Sequence, residues 1–337
     1  MDTWTTYLIG FIPPTPLTIP KSKLKILYHF MSSGKNMLKA RFHNNAVLLI
    51  SCLFVVLWST GFIVGRMIVG SASPNIFLAS RFFLSFLLFT FTAALLKKIW
   101  PPLNEWHKHI FAGLLINGLY LGGSYWAISK GLPAALMALL GALQPLLTVV
   151  ISIAFMKGRI APLQALGIFI GLSGVTLVLS PSFQTGSHID YSLSVLLIAI
   201  LSVFSITFGT ILQKTSLGKS ELLPSMAIQN LFSSVAALIF IVLLDESHLI
   251  VNANFIFSLA WAVLVLSGLG TLSLVWLIRN GDMTKTTSLL LLAPPLAALE
   301  AWAFFGDKLV PIQIAGFILS LLGVWFCRVK VAPPITQ

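Results

Sequence analysis

The chain has 337 residues, 57% of them hydrophobic and only 9% charged, with a mean hydropathy of +0.96. An ordinary soluble domain carries about 25% charged residues, so water is not the principal solvent of this sequence. The excess of 21 Lys and Arg over 9 Asp and Glu falls in short segments between apolar runs, which is a membrane-topology signal and argues against nucleic-acid binding.

Residues 1–44 are polar, basic and proline-containing, and lack an apolar stretch ending in a small-residue cleavage site. They read as a cytoplasmic tail, with Met31 or Met37 as alternative starts to Met1. Ten apolar runs follow, over about 45–68, 76–96, 109–128, 133–155, 162–180, 191–212, 223–244, 255–278, 285–305 and 309–327. Each approaches the roughly 20 residues that a helix needs to cross a bilayer core about 30 Å thick. Residues 181–190 form a linker and 329–337 a short C-terminal tail. The connections leave no room for a soluble domain. Cys52 and Cys327 lie inside apolar runs, where a thiol serves as a small hydrophobe, so no disulfide is expected.

With the N-terminus in the cytoplasm, the basic residues crowd the inner connections, among them Lys97, Lys98, Lys108, Lys157, Arg159, Lys214, Lys219, Arg279 and Arg328. Outside remain Arg66, Lys130 and Lys308. This bias predicts a multi-pass protein with both termini inside and an even number of spans.

A shift of 149 residues superimposes Pro145 on Pro294, Phe155 on Phe304, Pro162 on Pro311, Gln164 on Gln313, Gly167 on Gly316 and Gly174 on Gly323. The repeat units are then 45–180 and 191–328, each with five helices. An odd helix number inverts the second unit relative to the first. The expected fold class is therefore an all-α integral membrane protein of ten transmembrane helices arranged as two inverted five-helix repeats, an architecture of secondary transporters.

Several motifs sharpen this reading. The first half contains Trp58-Ser59-Thr60-Gly61-Phe62 running to Arg66, Arg81-Phe82-Phe83, Tyr125-Trp126-Ala127 with Lys130, Pro145, and Pro162 through Gly167. The second contains Leu292-Ala293-Pro294-Pro295, Phe304 through Lys308, and Pro311 through Gly316 to Gly323. In this order and spacing the chain resembles the EamA-type branch of the drug/metabolite transporter superfamily. The resemblance implies a transporter in the bacterial inner membrane, often an exporter of amino acids, metabolites or toxic compounds. Where that family usually has a Gly-Glu-Arg turn, this chain reads Lys157-Gly158-Arg159 and, in the second half, has Asp307 for the Glu.

Proline in mid-span removes a backbone hydrogen bond and frees carbonyls, so Pro145 and the pair Pro294-Pro295 mark either packed kinks or the walls of a central cavity. Trp58, Tyr125 and Trp276 are candidate cavity aromatics, and Asn117 and Gln144 are candidate polar contacts that could equally join helices. Glycines four apart at Gly61/Gly65, Gly118/Gly122 and Gly167/Gly171 suggest close helix packing. Glu300 is the one acidic residue well inside an apolar run, and Arg81 the matching interior cation at a similar depth. Glu300 reads either as a proton-coupling or gating carboxylate or as half of a static ion pair with Arg81, Arg66 or Lys130. Arg81 is expected to have a carboxylate or carbonyl partner.

The histidines lie in tails, connections or span edges, and His107 and His109 read as a solvated pair. No cluster suited to metal or acid–base catalysis appears, and no phosphate-binding glycine loop, so the reading is a transporter without cofactor rather than an enzyme. A flippase for an amphipathic lipid-linked carrier is the alternative. The expected partners are a small-molecule substrate and membrane lipid, with the chain acting as monomer or homodimer.

Overall fold

The computed structural model describes residues 45–144, 146–148, 150–151, 162–180, 191–217, 220–280, 293–307 and 309–327. Residues 1–49 and 50–337 are separate units, and the helical bundle is the second.

The described residues are helical almost throughout. Helix α1 spans Asn45–Met67 and α2 spans Pro74–Leu95. Helix α3 runs through an α segment, Trp106–Gly113, a π segment, Leu114–Leu121, and a second α segment, Gly122–Ser129. Then come α4 (Ala134–Thr148), α5 (Pro162–Leu179), α6 (Leu193–Ser216) and α7 (Leu222–Leu243). Helix α8 repeats the pattern of α3, with Ala253–Ala260, a π segment at Trp261–Leu269, and Gly270–Asn280. Helices α9 (Ala293–Phe305) and α10 (Pro311–Cys327) complete the described elements. Prolines open α2, α5 and α10, where the missing N–H is not needed.

Five helices are long and apolar enough to cross a membrane: Asn45–Met67, Pro74–Leu95, Leu193–Lys214, Leu222–Leu243 and Ala253–Ser273. Shorter apolar helices cover Ala134–Thr148, Ala165–Val178, Pro295–Phe305 and Pro311–Phe326. Large apolar side chains such as Phe91, Phe169, Leu238, Val242 and Phe304 are exposed, as a lipid-facing surface requires.

Helix α4 is buried on all sides from Ala134 to Leu140, which makes it a core element between α3, α6 and α9. Two other pairings organise the bundle. Helix α5 packs on α10 with opposite chain direction: Gln313 reaches the Val178 carbonyl, and Ser320 the Gly171 carbonyl. A Cβ added at Gly174 would lie 2.5 Å from the Gly316 oxygen, and one at Gly316 would lie 2.6 Å from the Gly174 oxygen. The two backbones touch there, so glycine is required. Helix α2 packs on α7, also antiparallel, with Ser234 donating to the Ala79 carbonyl at one level and Phe89 and Ala93 meeting Leu223 and Ala227 at another.

The ends of α2 and α7 are built alike. Each helix closes with a left-handed residue, Lys97 (φ 48°) or Asp245 (φ 51°). The next N–H returns five residues, from Lys98 to Ala93 and from Glu246 to Ile241, the Schellman arrangement. Each following side chain then reaches the start of the other helix. The Glu246 carboxylate accepts from the Asn75 backbone N–H and from its amide, both at 2.8 Å, while Lys98 forms a 3.3 Å ion pair with Glu221.

At the Glu246 end the α1–α2 and α7–α8 connections are also zipped together. Ala72 and Leu249 form an antiparallel bridge, flanked by Ser73 N–H to His248 O (2.9 Å) and Ile250 N–H to Ser71 O (2.7 Å). Asn252 donates to Ser71 Oγ, Asn254 to Met67 O, and His248 Nε2 to Gly70 O. Nothing comparable backs the partly exposed Lys98–Glu221 pair among the described residues.

Candidate functional site

Successive residues of an α-helix point about 100° apart, so one turn can address several neighbours. The Ser59-Thr60-Gly61 turn of α1 does this. Ser59 Oγ lies 2.7 Å from Glu300 Oε1 on α9. The Trp261 indole on α8 donates to Thr60 Oγ1 at 2.9 Å. The Tyr125 hydroxyl on α3 donates to the Gly61 carbonyl at 2.9 Å, and Arg81 Nη1 on α2 donates to the Tyr125 hydroxyl at 3.2 Å. One turn of α1 thus gathers polar groups from α2, α3, α8 and α9.

Glu300 and Arg81 are both interior, yet they are not paired with each other. Among the described residues the one ion pair is Lys98–Glu221. Glu300 Oε2 is enclosed and has no hydrogen-bond partner. Arg81 is 9% exposed, and its partner is a phenol rather than the expected carboxylate or carbonyl; the carbonyl of Gly61 is one bond further on.

Of the other anticipated residues, Trp58 is half exposed and tilted against Phe54. Tyr125 is fully buried, its ring against Gly65 and stacked on Phe77, so it belongs to the packed node. Gln144 donates to Thr210 at 3.1 Å and ties α4 to α6. Asn117 is half buried in the π segment of α3, and Trp276 is half buried on α8. Pro295 is half buried in the first described turn of α9; Pro145 and the Pro294 side chain lie outside the described residues.

Two features were not anticipated. His109 is fully buried, with Nδ1 2.7 Å from Ser225 Oγ, while His107 is exposed, so the two are not a solvated pair. Residues two apart on a helix point in nearly opposite directions, which separates them. The π segments of α3 and α8 occupy matching places in the two halves, and such segments often mark functional positions. No group of three His, Cys, Asp or Glu side chains able to hold a metal converges among the described residues.

The sequence model of the EamA-like transporter family matches residues 45–180 and 193–329. An uncharacterized transporter of Bacillus subtilis, YvbV, is 24% identical over 289 residues, covering 84% of this chain and 91% of that protein. A probable amino-acid metabolite efflux pump of Salmonella typhimurium is 24% identical over 288 residues, covering 82% and 92%. A solved crystal structure superposes with a TM-score of 0.59 at 19% identity, covering 84% of this chain and 97% of that one, which shows a shared fold.

Proposed function

We propose, from the premise that the chain belongs to the EamA-like transporter family, that it is a proton-coupled secondary transporter exporting a small metabolite, amino acid or drug-like compound. It sits in the bacterial inner membrane with both termini in the cytoplasm. Its ten spans form two inverted five-helix halves that expose a central site to each side in turn. The antiparallel packing of α2 on α7 and of α5 on α10 supports inversion, because in each pair the helices hold corresponding places in the two halves. The resemblance to an efflux pump supports the outward direction.

The observation that carries the coupling is donor accounting at Glu300. Ser59 Oγ lies 2.7 Å from two acceptors, Val56 O and Glu300 Oε1, but a hydroxyl has one proton. The arrangement is complete when Glu300 is itself protonated and donates to Ser59, which in turn donates to Val56. An ionised Glu300 would leave the enclosed Oε2 charged and without a partner. The side chain thus holds a proton here and must lose it in a state where water reaches it.

The test is reconstitution of the protein and its Glu300→Gln variant in liposomes with an imposed pH gradient. Wild type should drive substrate accumulation with the gradient. Glu300→Gln, present at equal amount, should exchange substrate without responding to it. Equal gradient-driven accumulation by both would reject the coupling role, and scrambling of labelled lipid without solute movement would favour the flippase reading.

A further inference from the structure

We propose that Arg81 is the anion-binding group of the transport site, and that the transported molecule carries one carboxylate which this guanidinium holds. The proposal rests on the transporter reading above and adds the chemical class of the substrate.

Arg81 is a buried cation with no countercharge among the described residues. Only 9% of its surface is exposed, and its one hydrogen bond among the described residues goes to an uncharged phenol. A guanidinium has five N–H donors, so most of its bonding capacity is unused. None of its nitrogens is enclosed without a partner, whereas Glu300 Oε2 is. The spare donors of Arg81 are therefore not sealed off from accessible surface.

The side chain is also held ready. The Tyr125 proton goes to the Gly61 carbonyl, which leaves an oxygen lone pair for Arg81 Nη1. The Tyr125 ring cannot swing away, being stacked on Phe77 and wedged against Gly65, where an added Cβ would lie 3.1 Å from it. One turn along the same face of α2, Ser85 Oγ meets Ser267 Oγ of the α8 π segment at 3.0 Å, so this region is polar.

Glu300 and Arg81 do not neutralise each other: Ser59 engages the carboxyl group, and the Tyr125 hydroxyl engages the guanidinium. An unpaired buried charge is costly, so an Arg81 serving cohesion alone would be expected to have a countercharge of its own. Glu300 is satisfied here by its own proton, and Arg81 is left to take its partner, an anion, from outside. The planar fork of a guanidinium matches a carboxylate bidentately. No second Lys or Arg hydrogen-bonds into this node among the described residues, which favours a single negative charge over a phosphate dianion.

The test uses acid and amide pairs with the full-length protein: leucine and leucinamide, phenylalanine and phenylalaninamide, benzoate and benzamide. Thermal unfolding in detergent reads binding, and counterflow in liposomes reads transport. At least one acid should raise the unfolding temperature and exchange in counterflow, with its amide at least tenfold weaker in both. Arg81→Lys, which keeps the charge but loses the fork, should weaken that acid about tenfold and leave the amide unchanged. If amides bind and move as well as acids, the anion site is rejected while the transporter reading stands. If the folded protein, shown by its unfolding transition, neither binds nor moves any of the acids, the anion site is rejected, while the transporter reading stands or falls on the pH-gradient assay.

Discussion

Replacing Ser59 with alanine removes the 2.7 Å partner of Glu300 Oε1 while Oε2 still has none. The expected outcome is a protein that accumulates normally but whose transport responds to pH with a displaced midpoint, in contrast to the abolished response of Glu300→Gln. A pH profile identical to wild type would show that Ser59 does not tune the carboxyl group. His109 gives a second contrast. His109→Ala strips Ser225 of its 2.7 Å partner and opens a cavity, at a cost of about 2 kcal/mol, visible as a lower unfolding temperature. His107→Ala, on the exposed face, should leave that temperature unchanged. Glu300 and Arg81 were legible in the sequence because charges stand out within apolar runs. Their separation was not, because the groups that hold them, Ser59 and Tyr125, are residue types that occur throughout apolar helices without such a role. The spacing of His107 and His109 suggested a shared solvated edge, and the helical turn between them sends one into the bundle.

The helices themselves were largely readable, since each described one overlaps an expected apolar run. Their contacts were less so. Of the glycine pairs expected to mark close packing, Gly167/Gly171 does so, since a Cβ at Gly323 would lie 2.6 Å or less from Gly171 and from the Gly167 oxygen, whereas a Cβ at Gly61 would meet nothing within 4 Å, and at Gly118 nothing nearer than 3.8 Å. The closest approaches are between Gly171 and Gly174 of α5 and Gly316 and Gly323 of α10, and in the same sense a Cβ at Gly113 of α3 would lie 2.8 Å from the Gln229 backbone of α7. Spacing marks where glycines occur; which helix comes near depends on the tertiary arrangement. Gly174→Ala and Gly316→Ala should each force α5 from α10 and cost about 1–3 kcal/mol, whereas Gly118→Ala should be neutral or slightly stabilising in a thermal melt. The π segments of α3 and α8 had no sequence signature, because an extra residue per turn is selected by neighbouring helices rather than by local composition.

The repeat was visible mainly where α4–α5 resembles α9–α10, through Pro145/Pro294, Pro162/Pro311 and Gly174/Gly323. The equivalence of α2 and α7 was hidden, because Lys97-Lys98 and Asp245-Glu246 share a backbone turn but have opposite charge. That difference gives the two ends of the α2–α7 pair unequal closures. The Glu246 end has two backbone hydrogen bonds of the bridge plus side-chain bonds from Glu246, His248, Asn252 and Asn254. The other has, among the described residues, one partly exposed ion pair, a contact worth about 0–1 kcal/mol. In the proposed topology the zipped end faces outward and must part for export. Ala72 and Leu249 are a non-hydrogen-bonded antiparallel pair, for which Cα atoms stand about 4.5 Å apart, within reach of a disulfide. The decisive measurement is counterflow in liposomes by the Ala72→Cys/Leu249→Cys protein, with Cys52 and Cys327 replaced by serine, before and after oxidation. Alternating access predicts that the cross-linked protein stops exchanging substrate and that reduction restores the rate; a fully cross-linked protein that exchanges as fast as the reduced one would contradict it.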